Sequence, residues 1–370
     1  MKSKTELNQI VAQYEEFWQG TNDKPLLNLS YTDNKKDINN FIKPWMPSEY
    51  GWSMAVAYEK FLKTGEISYV TEALDYYEAE IDNVECCASG FKRYWYNLGP
   101  GVVASFISGF FKFAQHSVWF ELDSSMSFNK IRTYHSDYIN EYGKKALEIA
   151  KVIVDRFKDK IIIAQTDLGG VVDILASLRR TEQLLFDCID NPEEIKTSLP
   201  VIESIWREYF LRFDRIFAEA NKGLRSSWIP LLSKQPFYPL QCDFCYMLSP
   251  EIFEDIVFPS LKRDALFLKR AVYHLDGPGE LPFIDMLCSI PEIKVIQWTA
   301  GAGEKPEWDE KWFSLYKKII DKGKKVFLFF HHDKELVKRL FSKLPSKEFC
   351  LSIHAPDYKT ASDIEQLNYY

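Results

Sequence analysis

Cysteine is scarce in this chain: 7 in 370 residues, an odd number scattered from Cys86 to Cys350. That pattern does not read as a disulfide framework and points to reduced thiols and a cytoplasmic home. Long apolar runs are missing too. Residues 1–20 are polar and amphipathic, with no signal-type apolar core, and no stretch approaches the roughly 20 apolar residues of a membrane span. Basic blocks are absent. With a net charge of −7 and a pI near 5.6, nucleic acid is excluded as an expected partner. The lysine-rich Lys317–Lys325 reads as a solvated helix end and turn. There is no internal repeat and no low-complexity tract. The glycines at Gly99-Pro100-Gly101 and Gly301-Ala302-Gly303 lack the spacing of a dinucleotide loop. Cys242-Asp243-Phe244-Cys245 is a lone CxxC with no second pair, so both thiols read as core.

What is present is an apolar, ring-rich chain, 46% hydrophobic and 15% aromatic. Its length suits two or three domains, or one large α/β barrel. Residues 5–20 carry an apolar helical stripe, and Leu26–Tyr31 reads as a first strand. Residues 33–90 form a helical excursion covering one end of the fold. From residue 160 strand and helix alternate regularly. Strands are expected at Arg93–Asn97, Ile161–Thr166, Ser226–Pro230, Tyr238–Asp243, Ala271–Leu275, Lys294–Trp298, Val326–Phe330 and Phe349–Ile353. Ser117–Leu122 is expected as a hairpin arm. The count favours a single-domain closed (β/α)8 barrel with an N-terminal helical extension over an open doubly wound sheet.

The centre of this pattern is Arg270–Glu304, a strand–helix–strand unit. His274 and Asp276 are two apart on one strand, so both side chains leave the same face. They stand at its carboxyl end, where such folds carry chemistry. The other side chains expected at strand ends are Asn97, Asp167, Asp243, Gln297, Trp298, His331, His332 and His354. On Ile161–Asp167 the inward set is read as Ile161, Ile163, Gln165 and Asp167. His274, Asp276 and His354 form a candidate metal set, since two imidazoles and a carboxylate are common ligands; the competing reading is a metal-free polar cluster. Asp243 and Asp167 are candidate substrate-orienting or proton-carrying acids. Asp167 equally reads as a cap on the turn at Gly169-Gly170. Trp119 and Glu121 belong to a loop expected over the mouth. Arg179 and Arg180 are either helix-end cations or, for the decarboxylase reading, candidates for a carboxylate clamp.

The runs Asn97–Gly101, Ser117–Glu121, Asp173–Asp190, Gln241–Phe253, Tyr273–Gly279 and Ile296–Gly303 together resemble the uroporphyrinogen decarboxylase superfamily, in its divergent decarboxylase-like branch. The resemblance implies a (β/α)8 barrel with its site at the mouth, and two chemistries. One branch decarboxylates a porphyrinogen without cofactor, using arginines after an N-terminal proline; this chain reads Lys24-Pro25-Leu26-Leu27 there. The other moves methyl groups between a corrinoid protein and a thiol on zinc held by His-x-Cys and a distant Cys. Here the pattern reads His274-x-Asp276, with His354 near the place of the distant Cys. The leading expectation is a metal-dependent methyltransferase-type enzyme acting on a small methylated or anionic substrate, with zinc and a corrinoid-protein partner. The alternatives are a metal-free decarboxylase and a non-catalytic corrinoid-protein partner or ligand-binding barrel. A homodimer is a further expectation.

Overall fold

The computed structural model describes residues 4–114 and 117–367. Its centre is a parallel sheet with helices packed on its outer face. Six parallel strands run in the spatial order Leu26–Thr32, Phe349–Ala355, Lys325–Phe329, Ile293–Thr299, Ala271–Asp276 and Tyr238–Leu240. Val84–Ala88 adds an antiparallel edge beside Leu26–Thr32. A separate parallel ladder joins Arg93–Trp95 to Ile162–Ala164. The expected hairpin arm is present, Lys112–Ala114 pairing with Ser117–Trp119.

The backbone ladder is therefore not closed, contrary to the ring of hydrogen bonds expected from the sequence, and the reason for one seam is local. Ile163 would need a neighbouring strand for its outward N–H and C=O. Instead the Asn221 side chain takes both, at 2.9 and 2.8 Å. Buried backbone groups must find partners, and a single amide here replaces a strand. Ser226–Pro230, expected as that strand, is irregular. Gln165 N–H bonds its Ser226 C=O at 3.0 Å, while the Arg93 side chain takes the carbonyls of Ser227 and Trp228 at 2.7 and 3.2 Å. At the other seam, the free edge of Leu26–Thr32 is occupied by Val84–Ala88.

Strand alternation sorts the apolar side chains into two clusters. The larger holds Leu27, Ile163, Tyr273, Ile296, Leu328 and Leu351 against the helices. The smaller gathers Leu26, Ile162, Val272, Val295, Phe327 and Cys350 from the opposite strand faces. Ile161 and Ile163 thus face the helices, against their inward reading, and Ile162 takes the inward side. The smaller cluster lies near the amino ends of the strands. It is sealed by Ile10, Val11, Tyr14, Phe17 and Trp18 from the helix Lys4–Gln19. Burying a large apolar side chain is worth about 1.5–3 kcal/mol, so these five anchor the helix firmly. Trp18 Nε1 donates to Leu232 C=O at 2.8 Å, and Arg270 pairs with Glu15 at 3.0 Å. With the amino ends filled, polar side chains collect at the carboxyl ends.

Candidate active site

The site begins with register. Ala271–Asp276 and Ile293–Thr299 pair so that His274 lies opposite Gln297 and Asp276 opposite Thr299. All four side chains leave one face. Gln297 donates from Nε2 to Trp298 C=O at 2.9 Å and to Thr299 Oγ1 at 2.8 Å. Its Oε1 is thereby the acceptor that meets His274 Nδ1. That bond places the proton on Nδ1 and leaves the Nε2 lone pair of His274 available, the arrangement a metal-binding imidazole needs.

The third member comes from the turn after Tyr238–Leu240. Asp243 was expected inside a strand; it opens a 3-10 turn, Asp243–Met247. One ligand atom each from Asp243, His274 and Asp276 fall within 4.8 Å of one another. Asp243 keeps an open face to solvent, yet the protein packed on its other sides raises its carboxyl pKa. Asp276 raises it further, and His274 pulls it down.

Two acids that the sequence reading passed over support this turn. Asp173 Oδ1 accepts from Phe244 N–H at 2.9 Å, which pins the turn to the helix Val171–Arg179. Burial, then the charge of Asp243, push the Asp173 carboxyl up to about 8. Glu280 is fully buried and accepts from Tyr273 Oη at 3.2 Å. Burial drives its pKa well above the carboxylate range. Its Oε1 and Asp173 Oδ2 have no hydrogen-bond partner. Asp167 is also buried; it accepts from Gly169 N–H at 2.8 Å and Tyr238 Oη at 2.9 Å. Desolvation lifts it to about 6. It caps the Gly169-Gly170 turn, and its charge is felt together with those of Asp243 and His274.

Five carboxyl groups therefore crowd one imidazole. The charges that move these carboxyls most, among the described residues, are those of neighbouring acids, Cys245 and His274. A cluster of acids like this, backed by buried Asp167 and Glu280, holds protons or takes a metal ion. Of the two flanking thiols, Cys242 is buried and its pKa is raised well above the ordinary thiol value by desolvation, then by Cys245.

Other candidates lie elsewhere or are engaged. His354 is outside the Asp243–His274–Asp276 group. Its two ring nitrogens meet Ser30 Oγ at 2.9 Å and Thr32 Oγ1 at 3.0 Å. Trp298 is buried on the helix side against Trp312, since adjacent strand residues cannot both face inward. Arg179 is buried in an ion pair with Asp187, donating from Nε at 2.8 Å and from Nη2 at 2.5 Å. It is a structural tie in this fold, not a free clamp. Glu121 accepts from Thr181 N–H and Oγ1 at 3.0 and 2.9 Å, capping the helix Thr181–Asp190. Asn97 holds the Gly99 turn through Oδ1 and reaches Gly51 C=O. Trp119 is 57% exposed. His331 and His332 stack on one another, with His331 against Trp308. One unforeseen neighbour is Trp228, from the irregular segment, whose ring stands edge-on to His274 at 5.0 Å. An aromatic in an expected strand gave no signal that its chain would turn inward.

No protein-family model matches the chain, and no curated protein matches it. Among solved structures it is similar to a methyltransferase from Methanosarcina mazei, with a TM-score of 0.55 over 96% of this chain and 97% of that one. The two sequences are 10% identical, so the likeness is one of fold across the whole chain.

Proposed function

We propose that the chain is a metal-dependent methyltransferase-type enzyme of the uroporphyrinogen decarboxylase superfamily, built on a (β/α)8 barrel whose mouth carries the site. The barrel reading is supported by the smaller apolar cluster, which unites side chains from both ladders, Leu26 and Val272 with Ile162. The whole-chain similarity to a methyltransferase fold adds to it.

The observation that carries the chemistry is the convergence of Asp243, His274 and Asp276 within 4.8 Å. Gln297 sets the imidazole for ligation. One imidazole and two carboxylates suit a divalent ion such as zinc. The ion would supply Lewis acidity, lowering the pKa of a bound water or thiol. The chain's own residues do the rest. Gln297 holds the ring, Asp173 holds the Asp243 turn, and buried Glu280 and Asp167 sit behind the ligands. The substrate would be a small methylated molecule, with a corrinoid protein as methyl donor or acceptor. The decarboxylase alternative needs a cation for a carboxylate; Arg179 is committed to Asp187, and Arg180, the other candidate, stands 3.8 Å from Glu121.

Metal analysis of purified protein tests this reading. Stoichiometric divalent metal in the wild type, lost in His274→Ala and Asp243→Asn, is the expected result. Metal-loaded wild type should also demethylate methylcobalamin with a thiol acceptor, and His274→Ala should not. Equal, near-zero metal in all three proteins would remove the proposed centre.

A further inference from the structure

At the amino-end side of the strands, away from the acidic nest, lies a cavity of about 140 Å³. It opens where the helix Lys4–Gln19, the edge strand Val84–Ala88 and the start of Ile162–Ala164 come together. We infer that this cavity is a second binding site, for small monocarboxylates with an apolar body of about six carbons.

The size sets the body. A cavity near 150 Å³ holds one benzene ring, so a phenyl or hexyl group is what this volume takes. The walls agree with that size: Leu7, Phe91, Ile161 and Ile162 line it. Ile162 and Phe91 also belong to the smaller apolar cluster, so the inner wall is part of a rigid core. An apolar wall with a few polar groups at one end is the usual form of a small-molecule site.

The rim sets the charge. Lys92, Lys160 and Lys222 stand at the cavity with Glu85 and Asp159. Lys160 is paired with Glu78 at 3.1 Å and Lys222 with Asp159 at 2.7 Å, so Lys92, which shares Glu85 with Lys35, is the rim cation least committed to a partner. Lys92 is the innermost candidate, its side chain 19% exposed against 55% for Lys160 and 77% for Lys222. An ammonium carries three N–H donors. Lys92 gives one to Glu85 at 3.3 Å, and Glu85 is already held by Lys35. A ligand carboxylate beside Lys92 would complete this cluster. A cationic ligand would stand beside the Lys92 ammonium group.

Position gives the site a consequence. The cavity adjoins the seam where Val84–Ala88, not Arg93–Trp95, occupies the free edge of Leu26–Thr32. A ligand there would touch elements on both sides of the seam, and so stabilise the folded chain by mass action.

The test is calorimetric and thermal titration of the full chain with hexanoate, benzoate, hexanol and hexylammonium. Hexanoate and benzoate should bind, and at ten times the dissociation constant should raise Tm by about 2 °C. Hexylammonium should not bind. Lys92→Met should weaken hexanoate at least tenfold while leaving hexanol unchanged. Ile161→Trp, which fills the cavity, should abolish both while its own circular dichroism stays native. His274→Ala should bind hexanoate as wild type does, which separates this site from the metal reading. Equal hexanoate binding in wild type and Ile161→Trp would overturn the proposal. So would stronger binding of hexylammonium than hexanoate, or no binding of either acid at millimolar concentration.

Discussion

At the scale of single residues, the decisive contact is the one between His274 and Gln297. A ligand imidazole works only if its other nitrogen is held, and the outer partner's loss typically costs 10–100-fold in metal affinity. Gln297→Leu keeps the volume and removes the acceptor. We expect a zinc affinity about 10–100-fold weaker with unchanged far-ultraviolet dichroism, read by competition with a chelating dye. Unchanged affinity would mean that His274 is oriented by something else, such as the Trp228 ring beside it. The sequence carried part of this arrangement openly. Two-residue spacing put His274 and Asp276 on one face, because strand alternation is a local rule. Asp243, Asp173 and Glu280 were harder. Their meeting depends on a 3-10 turn and a helix that no short-range pattern aims at each other. His354 shows the converse: its position at a strand end was legible, but its capture by Ser30 and Thr32 depends on pairing with a strand 322 residues distant.

At the scale of elements, the site stands or falls with how closely the helix Val171–Arg179 approaches the strand Tyr238–Leu240. Gly170 makes that approach. A Cβ there would lie 2.2 Å from Gln241 C=O and 2.4 Å from Asp173 Oδ2. The first obstacle is backbone and cannot rotate away. Gly170→Ala should therefore push the helix from the strand, costing about 1–3 kcal/mol in stability. Because Asp173 pins the Asp243 turn, metal affinity should fall with it. Denaturant midpoints and metal titration on the same protein check both. A variant that loses stability while keeping full affinity would show that the turn holds without Asp173. The sequence announced this turn through Gly169-Gly170, and it announced most helices and strands through their periodicity. It concealed the irregular segment at Ser226–Pro230. That stretch has strand-like composition, and side chains deny it a ladder: Asn221, bonded to both sides of Ile163, and Arg93, which holds the carbonyls of Ser227 and Trp228.

At the scale of the whole molecule, buried acids should give the metal-free protein an unusual pH dependence. Asp167 is raised to about 6, Asp173 to about 8 and Asp264 to about 7, each chiefly by desolvation. Glu280 moves the same way. A carboxyl whose pKa is higher folded than unfolded binds its proton more tightly when folded. Between the unfolded value near 4 and the raised value, the native state holds protons that the unfolded chain has released, so stability falls as pH rises through that window. Each unit is worth about 1.4 kcal/mol, and three or four such groups amount to several kcal/mol between about pH 4 and pH 8. His354 opposes this: its pKa is lowered, first by burial and then by His332, so its share of stability grows as pH rises through the imidazole range. One ring at the surface does not outweigh several buried acids. Surface acids held low by lysine and arginine partners, such as Glu78 and Asp285, lose their contribution only below about pH 4.5, outside the window. Chelator-treated protein should thus unfold at lower denaturant concentration at pH 8 than at pH 5. Asp264 lies between the helices Pro192–Ala220 and Phe258–Leu268, paired with Arg207 at 2.8 Å and apart from the proposed ligands. Asp264→Asn should flatten the slope between pH 5 and 7, because an amide accepts the same Arg207 bond without a proton to lose. A wild-type profile that rises from pH 5 to pH 8 would show that these carboxyls are ionised and paired in the native fold, and that the acidic nest is already compensated from within.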